Sequence, residues 1–380
     1  MNPLKYFPLG IAKGDAFCNR VNERKKIIQN VKKGQHTVII SPRRYGKSSL
    51  ALYCLEEGDF LYTRVDLFVA VNAKTIENQI LEGVKNLINK ISSVPEQALG
   101  ILKNYIKSLK SKWIIGTDGI SIELIPDKES DPATNIMEAL QLLENYLRKK
   151  EMKAVFFIDE FQEIGSLANS SGIEGAIRHV AQESESLCFI FSGSNRHILA
   201  TMFDDRGRPL YMLCDRVSVD RIHESDYTHY INNVAMKTWK KKMEESAIRE
   251  IFTKTERHPY YMNALCDKLW SDFENSPPAV DDIKMIWREY VMQEESKIAK
   301  EISDLSMAQK KLLITIAKGN SKDLSGKIHL RKFDITSAAV TKALRSLEEN
   351  DYINKDKDGR YFLVDPLLKA SLNIFYPGVF

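Results

Sequence analysis

Gly46, Lys47 and Ser48 stand in a row between a short apolar run, Thr37-Val38-Ile39-Ile40, and a segment from Leu50 to Leu55 that reads as a helix. A glycine, an ammonium and a hydroxyl at a strand-to-helix turn suit phosphate. Backbone N–H groups at a helix N-terminus face an anion, and the lysine reaches oxygens beyond them. In Ser41-Pro42-Arg43-Arg44-Tyr45-Gly46-Lys47-Ser48-Ser49, the N–H groups of Arg44 to Ser49 are placed to wrap the phosphates of ATP or ADP. Lys47 is placed to reach the β and γ oxygens, and the Ser48 hydroxyl to ligate Mg²⁺. The pattern G-x-x-x-x-G-K-[ST] begins with glycine, whereas Ser41 occupies that position here. Serine is small enough for the end of a strand but lacks glycine's freedom at positive φ, so a slightly altered loop is expected.

The most apolar run in the chain, Ala154-Val155-Phe156-Phe157-Ile158, ends in Asp159-Glu160. This is the Walker B arrangement, in which Asp159 holds Mg²⁺ through water and Glu160 polarises the attacking water. A chance turn accounts for Gly46-Lys47-Ser48 alone but not for the two motifs together. A further apolar run, Leu187 to Phe191, ends in Ser192-Gly193-Ser194-Asn195. There Ser194 and Asn195 suit contact with a γ-phosphate or with the attacking water, and a plain turn is the alternative.

These groups need a scaffold that brings strand ends together, and the chain alternates accordingly. Strands are expected at Thr37 to Ile40, Phe60 to Phe68, Ala154 to Ile158 and Leu187 to Phe191, with helices at Thr75 to Ile91 and Asn135 to Lys150. Alternating strand and helix implies a parallel sheet flanked by helices, with its ligand at the carboxyl ends of the strands. The lysine loop and the acidic pair are expected on two neighbouring strands. Residues 94–132 read as an insertion, with a helix around Ala98 to Leu109 and a hairpin through Ile120, Ile122 and Leu124. The core is thus residues 1–224; residues 225–300 show helical spacing only and form a lid, broken by a loop at Glu274 to Asp281; residues 301–380 form a third domain.

Composition narrows the class. With 43% hydrophobic and 28% charged residues over 380 positions, the chain is an ordinary globular one with room for two or three domains. No apolar run approaches the roughly 20 residues of a membrane span, and Met1-Asn2-Pro3-Leu4-Lys5 does not open a charged-then-apolar leader, so a cytoplasmic protein without a membrane partner is expected. The five cysteines form no C-x-x-C pair and the seven histidines show no metal spacing, which argues against disulfides and a transition metal. A net charge of +4 over the chain carries no nucleic-acid signal by itself.

Several stretches together resemble the archaeal-type ATPase family, of the signal-transducing ATPase branch near AAA+ proteins and related in architecture to Orc/Cdc6 initiators. They are Phe17-Cys18-Asn19-Arg20, Arg43 to Leu50, Phe157 to Gln162, Phe191 to Ser194, His258-Pro259-Tyr260-Tyr261 and Tyr361 to Leu368. The resemblance implies an AAA+-like ATPase core, a helical lid and a C-terminal winged helix. It implies that Asn19 and Arg20 lie near the base and that Arg216 acts on the γ-phosphate, in cis or as a finger toward a neighbouring subunit; a structural salt bridge is the alternative, and a homo-oligomer is left open. His258-Pro259 corresponds to the lid turn that reads nucleotide state, a role compatible with starting a helix.

The last segment fits a winged helix by its own pattern: helices at Met307 to Ala317 and Ser337 to Glu349, then a hairpin turning at Asp358-Gly359. From Ser306 to Phe380 there are 13 Lys or Arg against 8 Asp or Glu, a surplus above that of the whole chain. Lys342 and Arg345 share a helix face, and Lys355, Lys357 and Arg360 lie on the wing, so double-stranded DNA is the expected partner. A protein partner is the alternative, because Asp356 and Asp358 interrupt the charge.

Overall fold

The computed structural model describes residues 5–377 except 92–94, 108, 111, 119–120, 127–129, 168–169, 320, 325, 327–329 and 331–334. Ile120 of the hairpin alternation, and Lys327, Arg331 and Lys332 of the basic surplus, lie outside the described residues. Contacts divide the chain into two units: residues 20–41 and 47–219, and residues 1–19, 42–46 and 220–380.

The first unit is built on a five-stranded parallel sheet of β1 (Thr37–Ile40), β2 (Tyr62–Asp66), β5 (Ala154–Asp159), β6 (Leu187–Gly193) and β7 (Asp215–Ser218), in the order β2-β5-β6-β1-β7. Every residue of β1, β5 and β6 is buried, as the continuous apolar runs imply for strands covered on both faces. Edge strand β2 instead alternates, with Thr63 and Val65 inward. The strand order corrects one expectation. The lysine loop and the acidic pair do not follow neighbouring strands, because β6 lies between β1 and β5.

Helix Ala73–Ile91 buries Ile76, Ile80, Val84 and Leu87 at helical spacing. Helix Pro132–Lys149 starts where Asp131 accepts from Thr134 N–H and Pro132 takes the first turn. The insertion holds helix Pro95–Ile106 and the antiparallel hairpin of β3 (Trp113–Thr117) and β4 (Ile122–Pro126), which buries Ile122 and Leu124 and exposes Ile114 and Ile125. Helices Val21–Lys33, Ser170–Glu183 and Arg196–Asp204 complete the layers.

Among the described residues the second unit is helical apart from its wing. Helices Glu224–Trp239, Glu245–Thr255, Pro259–Asp272, Val280–Gln293 and Glu295–Ser303 share one hydrophobic core with Met307–Ala317, Ser337–Glu349 and Pro366–Phe375. The chain's beginning belongs to this core, where Tyr6 and Phe7 are buried and Asn263 donates to the Pro8 carbonyl at 2.7 Å. The wing pairs β8 (Ile353–Lys355) antiparallel with β9 (Tyr361–Leu363), and Gly359 takes φ +73° at its turn.

Candidate nucleotide site

β5 delivers Asp159 to the carboxyl edge of the sheet at 1% exposure, and Glu160 follows in left-handed backbone, φ +52°. Both oxygens of the Asp159 carboxylate are hydrogen-bonded. Oδ1 accepts from the Ser192 hydroxyl and from Glu160 N–H at 3.2 Å, and Oδ2 accepts from Arg64 Nη2 at 2.8 Å. Oε2 of Glu160 accepts from Gln162 Nε2 at 2.6 Å, from the Ser194 hydroxyl at 2.7 Å and from Ser194 N–H at 3.2 Å. Gln162 is itself buried, and its Oε1 takes a second bond from Ser194 N–H at 3.1 Å. The intervening strand β6 therefore supplies Ser192, and the residue just after it Ser194, to the acidic pair, beside Arg64 of β2 and Gln162.

A Cβ on Gly193 would lie 2.0 Å from Gln162 Oε1, so only glycine leaves room for this bridge. Asn195 plays a different part from Ser194: its Oδ1 accepts from Ile198 N–H at 3.0 Å and caps helix Arg196–Asp204. Arg216 lies on β7 and pairs with Asp204 at 2.8 Å, both side chains about half exposed. Arg20 is buried beside Glu23 at 3.5 Å, and Asn19 and Arg20 both take positive φ before helix Val21–Lys33.

Lys47 opens helix Lys47–Glu57 and is buried, with Nζ donating to the Ser41 carbonyl at 3.3 Å; Ser48 beside it is half-buried, and Ser41 and Ser49 are buried. The possible metal donors are hard oxygens, the Ser48 hydroxyl and the Asp159 carboxylate, and the Lys47 ammonium adds positive charge without being a donor. This suits Mg²⁺, which takes one or two protein oxygens together with phosphate rather than a closed protein cage. Among the described residues no cluster of three His, Cys, Asp or Glu could hold a metal alone.

Loop Pro42–Gly46 is counted with the helical unit. Gly46 takes φ +83°, with open space where a Cβ would point, and Arg44 takes φ +62°. Arg43 and Arg44 are exposed, and the Arg44 guanidinium sits 4.3 Å over the Tyr260 ring. Tyr45 is buried edge-on against His258 at 4.7 Å, and its hydroxyl accepts from Arg221 Nε at 3.3 Å. Arg221 also donates to Glu256 at 2.7 Å and to the Val364 carbonyl at 3.3 Å, and the other Glu256 oxygen accepts from Lys369 at 2.6 Å.

Burial opposes the charge of both partners, yet the contacts prevail. The Arg221 pKa is raised despite burial, through Tyr45 and Glu256; that of Glu256 is lowered despite burial, through Lys369 and Arg221. His258, the residue before Pro259 at the start of helix Pro259–Asp272, is held neutral, its pKa lowered to about 3 by burial and then by Arg221 and Arg44. Tyr261 donates to Asp365 at 2.6 Å, and Asp365 caps helix Pro366–Phe375.

On the winged helix, Arg345 pairs with Glu349 at 2.7 Å and Lys355 with Glu348 at 3.4 Å, while Lys342, Lys357 and Arg360 are exposed. Four residues with evident parts in these arrangements, Arg64, Gln162, Arg221 and Glu256, carry no role in the sequence reading. Gln162 alone had a signal, standing two residues after Glu160 in the Walker B stretch.

A family model described as "Probable winged helix domain" matches residues 298–373. Among solved structures, the chain is similar to a Walker-type ATPase of Pyrococcus abyssi, at 15% identity and a TM-score of 0.69 over 95% of this chain and 97% of the other. It is also similar to the ORC2 protein of Aeropyrum pernix in ADPNP–ADP complexes, at 11% identity and a TM-score of 0.56 over 99% and 97% of the two chains. No curated protein matches the sequence. The fold is that of a P-loop ATPase core with a helical region and a C-terminal winged helix. Among the described residues no helix is long and apolar enough to cross a membrane.

Proposed function

We propose that the protein is a Mg²⁺-dependent ATP hydrolase whose nucleotide state is relayed through the helical lid to a winged helix that acts on double-stranded DNA. The observation that carries the reading is that Lys47, at a helix start after one buried strand, and Asp159-Glu160, at the end of another, stand at the same carboxyl edge of one parallel sheet. Lys47 and the N–H groups at the start of its helix bind the phosphates, with Ser48 and Asp159 as the protein's oxygens toward Mg²⁺. When bound, the ion neutralises charge on the phosphate oxygens. Glu160, aimed by Gln162 and Ser194, orients the attacking water and accepts its proton. Ser194 suits the role of reporting the γ-phosphate, since it already touches Glu160; Arg216 serves a neighbouring subunit only if its pair with Asp204 opens.

Arg221 and Glu256 support the relay. Together they touch Tyr45 of the loop, the Val364 carbonyl and Lys369 of the winged helix. The test is ATP turnover combined with duplex binding measured against salt. The expected result is turnover lost in Glu160→Gln and a duplex affinity that falls steeply between low and moderate salt. Absence of duplex binding at low salt defeats the DNA part. A second reading, a nucleotide-gated switch that binds a protein, is favoured by the pairing of Arg345 and Lys355 with acidic neighbours, which lowers the charge offered to phosphate. Partners that differ between Lys47→Ala and Glu160→Gln would favour it.

A further inference from the structure

We propose that Arg64 is a built-in competitor of the divalent cation, occupying the Asp159 oxygen that the cation needs and retiring to Asp66 when it is displaced. The proposal rests on the Mg²⁺–nucleotide reading above and assigns its regulation to a residue outside the nucleotide motifs.

Arg64 lies on edge strand β2, whose register sets Asp66 opposite Asp159 and Arg64 opposite Phe157. Arg64 and Asp66, two apart, project to the same side of the strand. One nitrogen, Nη2, donates to both carboxylates, to Asp66 at 2.7 Å and to Asp159 at 2.8 Å. The two acceptors differ in surroundings: the Asp159 side chain is 1% exposed and that of Asp66 46%.

A carboxylate as buried as Asp159 requires a positive partner, and Arg64 provides it. Since Oδ1 is already held by Ser192 and Glu160 N–H, Oδ2 is where the arginine and a hydrated cation meet in competition. Asp66 makes the displacement inexpensive, because the guanidinium keeps one ion pair, at the solvent side, after leaving Asp159. Two consequences of opposite sign follow for a variant lacking the charge. Without divalent cation, an uncompensated Asp159 repels the phosphates and weakens nucleotide binding; with cation, less Mg²⁺ suffices, since nothing has to be displaced.

The experiment is binding of a fluorescent ADP analogue to the full chain, in EDTA and across a Mg²⁺ titration, for wild type, Arg64→Met and Arg64→Lys. Thermal unfolding in EDTA verifies that each variant is folded. For Arg64→Met the expected result is a Mg²⁺ half-saturation lowered about tenfold together with a nucleotide affinity in EDTA reduced several-fold, with Arg64→Lys, which keeps a charge but not the planar fork, in between. An unchanged or raised half-saturation in Arg64→Met overturns the proposal while leaving the nucleotide site standing, and a general loss of stability cannot mimic the expected pattern because it weakens both bindings. Failure of wild type and variants alike to bind the analogue at any Mg²⁺ concentration overturns the site reading and this proposal with it.

Discussion

The Nε of Arg221 lies 3.3 Å from the Tyr45 hydroxyl, so that the loop Pro42–Gly46 and the residues that precede Pro259 are held by one side chain that also grips Glu256. Glu256 and Arg257 both take left-handed backbone, φ +47° and +59°, immediately before His258. Two consecutive non-glycine residues in that conformation persist only where surrounding contacts fix them. The bonds from Arg221 and Lys369 to Glu256 supply that fixation.

Arg221→Ala is expected to lower the unfolding free energy by about 1–3 kcal/mol, because Glu256 and the Val364 carbonyl lose a donor in a largely buried setting. Denaturant titration at neutral pH measures the loss. Glu256→Gln, which keeps the shape and removes the charge, is expected to lose less.

His258 gives the stability a pH dependence of definite sign. Its folded pKa, about 3, lies below the unfolded value near 6.5, so below about pH 6.5 the unfolded chain binds the proton that the folded chain refuses, and stability falls with pH. Between pH 6.5 and 5 this amounts to about 2 kcal/mol. His258→Phe, which keeps a ring against Tyr45, is expected to show a shallower loss over that window in unfolding titrations at the two pH values.

Gly193→Ala drives a methyl group against the Gln162 carboxamide, which cannot yield without releasing Glu160 or Ser194. A destabilisation of about 1–3 kcal/mol is expected, together with reduced ATP turnover at nearly unchanged nucleotide affinity. Turnover equal to wild type would mean that Gln162 does not position Glu160.

Glu160→Gln is expected to retain nucleotide binding within a few-fold and to lose turnover by about 10² to 10⁴. A phosphate-release assay beside an equilibrium binding measurement separates the two effects.

The parts of the site that the sequence made legible are those carried by strong local patterns. Strand β5 is apolar up to its last residue and buried throughout, and β1 is followed within seven residues by a glycine and a lysine, so Lys47 and Asp159 are legible with their strands. Strand β7 is not legible in the sequence, because Asp215-Arg216-Val217-Ser218 has one inward apolar residue and no apolar alternation to read. Helix Arg196–Asp204 shows why Asn195 was ambiguous, since an asparagine after a strand serves equally as a cap and as a ligand. Arg64, Arg221 and Glu256 were invisible for another reason. Their partners across the fold, Asp159 for Arg64, Glu256 for Arg221 and Lys369 for Glu256, stand 95, 35 and 113 residues away, and a charged residue among 28% charged residues carries no mark of the pair it will form. The placing of β6 between β1 and β5 is likewise a matter of topology, which chain order does not encode.

The most direct measurement is calorimetric titration of the wild-type protein with ATP, in Mg²⁺ and in EDTA, with Lys47→Ala as the control. The expected result is binding that weakens by about tenfold or more when the ion is removed or Lys47 is lost. The absence of any magnesium-dependent affinity for ATP or GTP would contradict the proposal that Lys47 and Asp159-Glu160 serve one nucleotide.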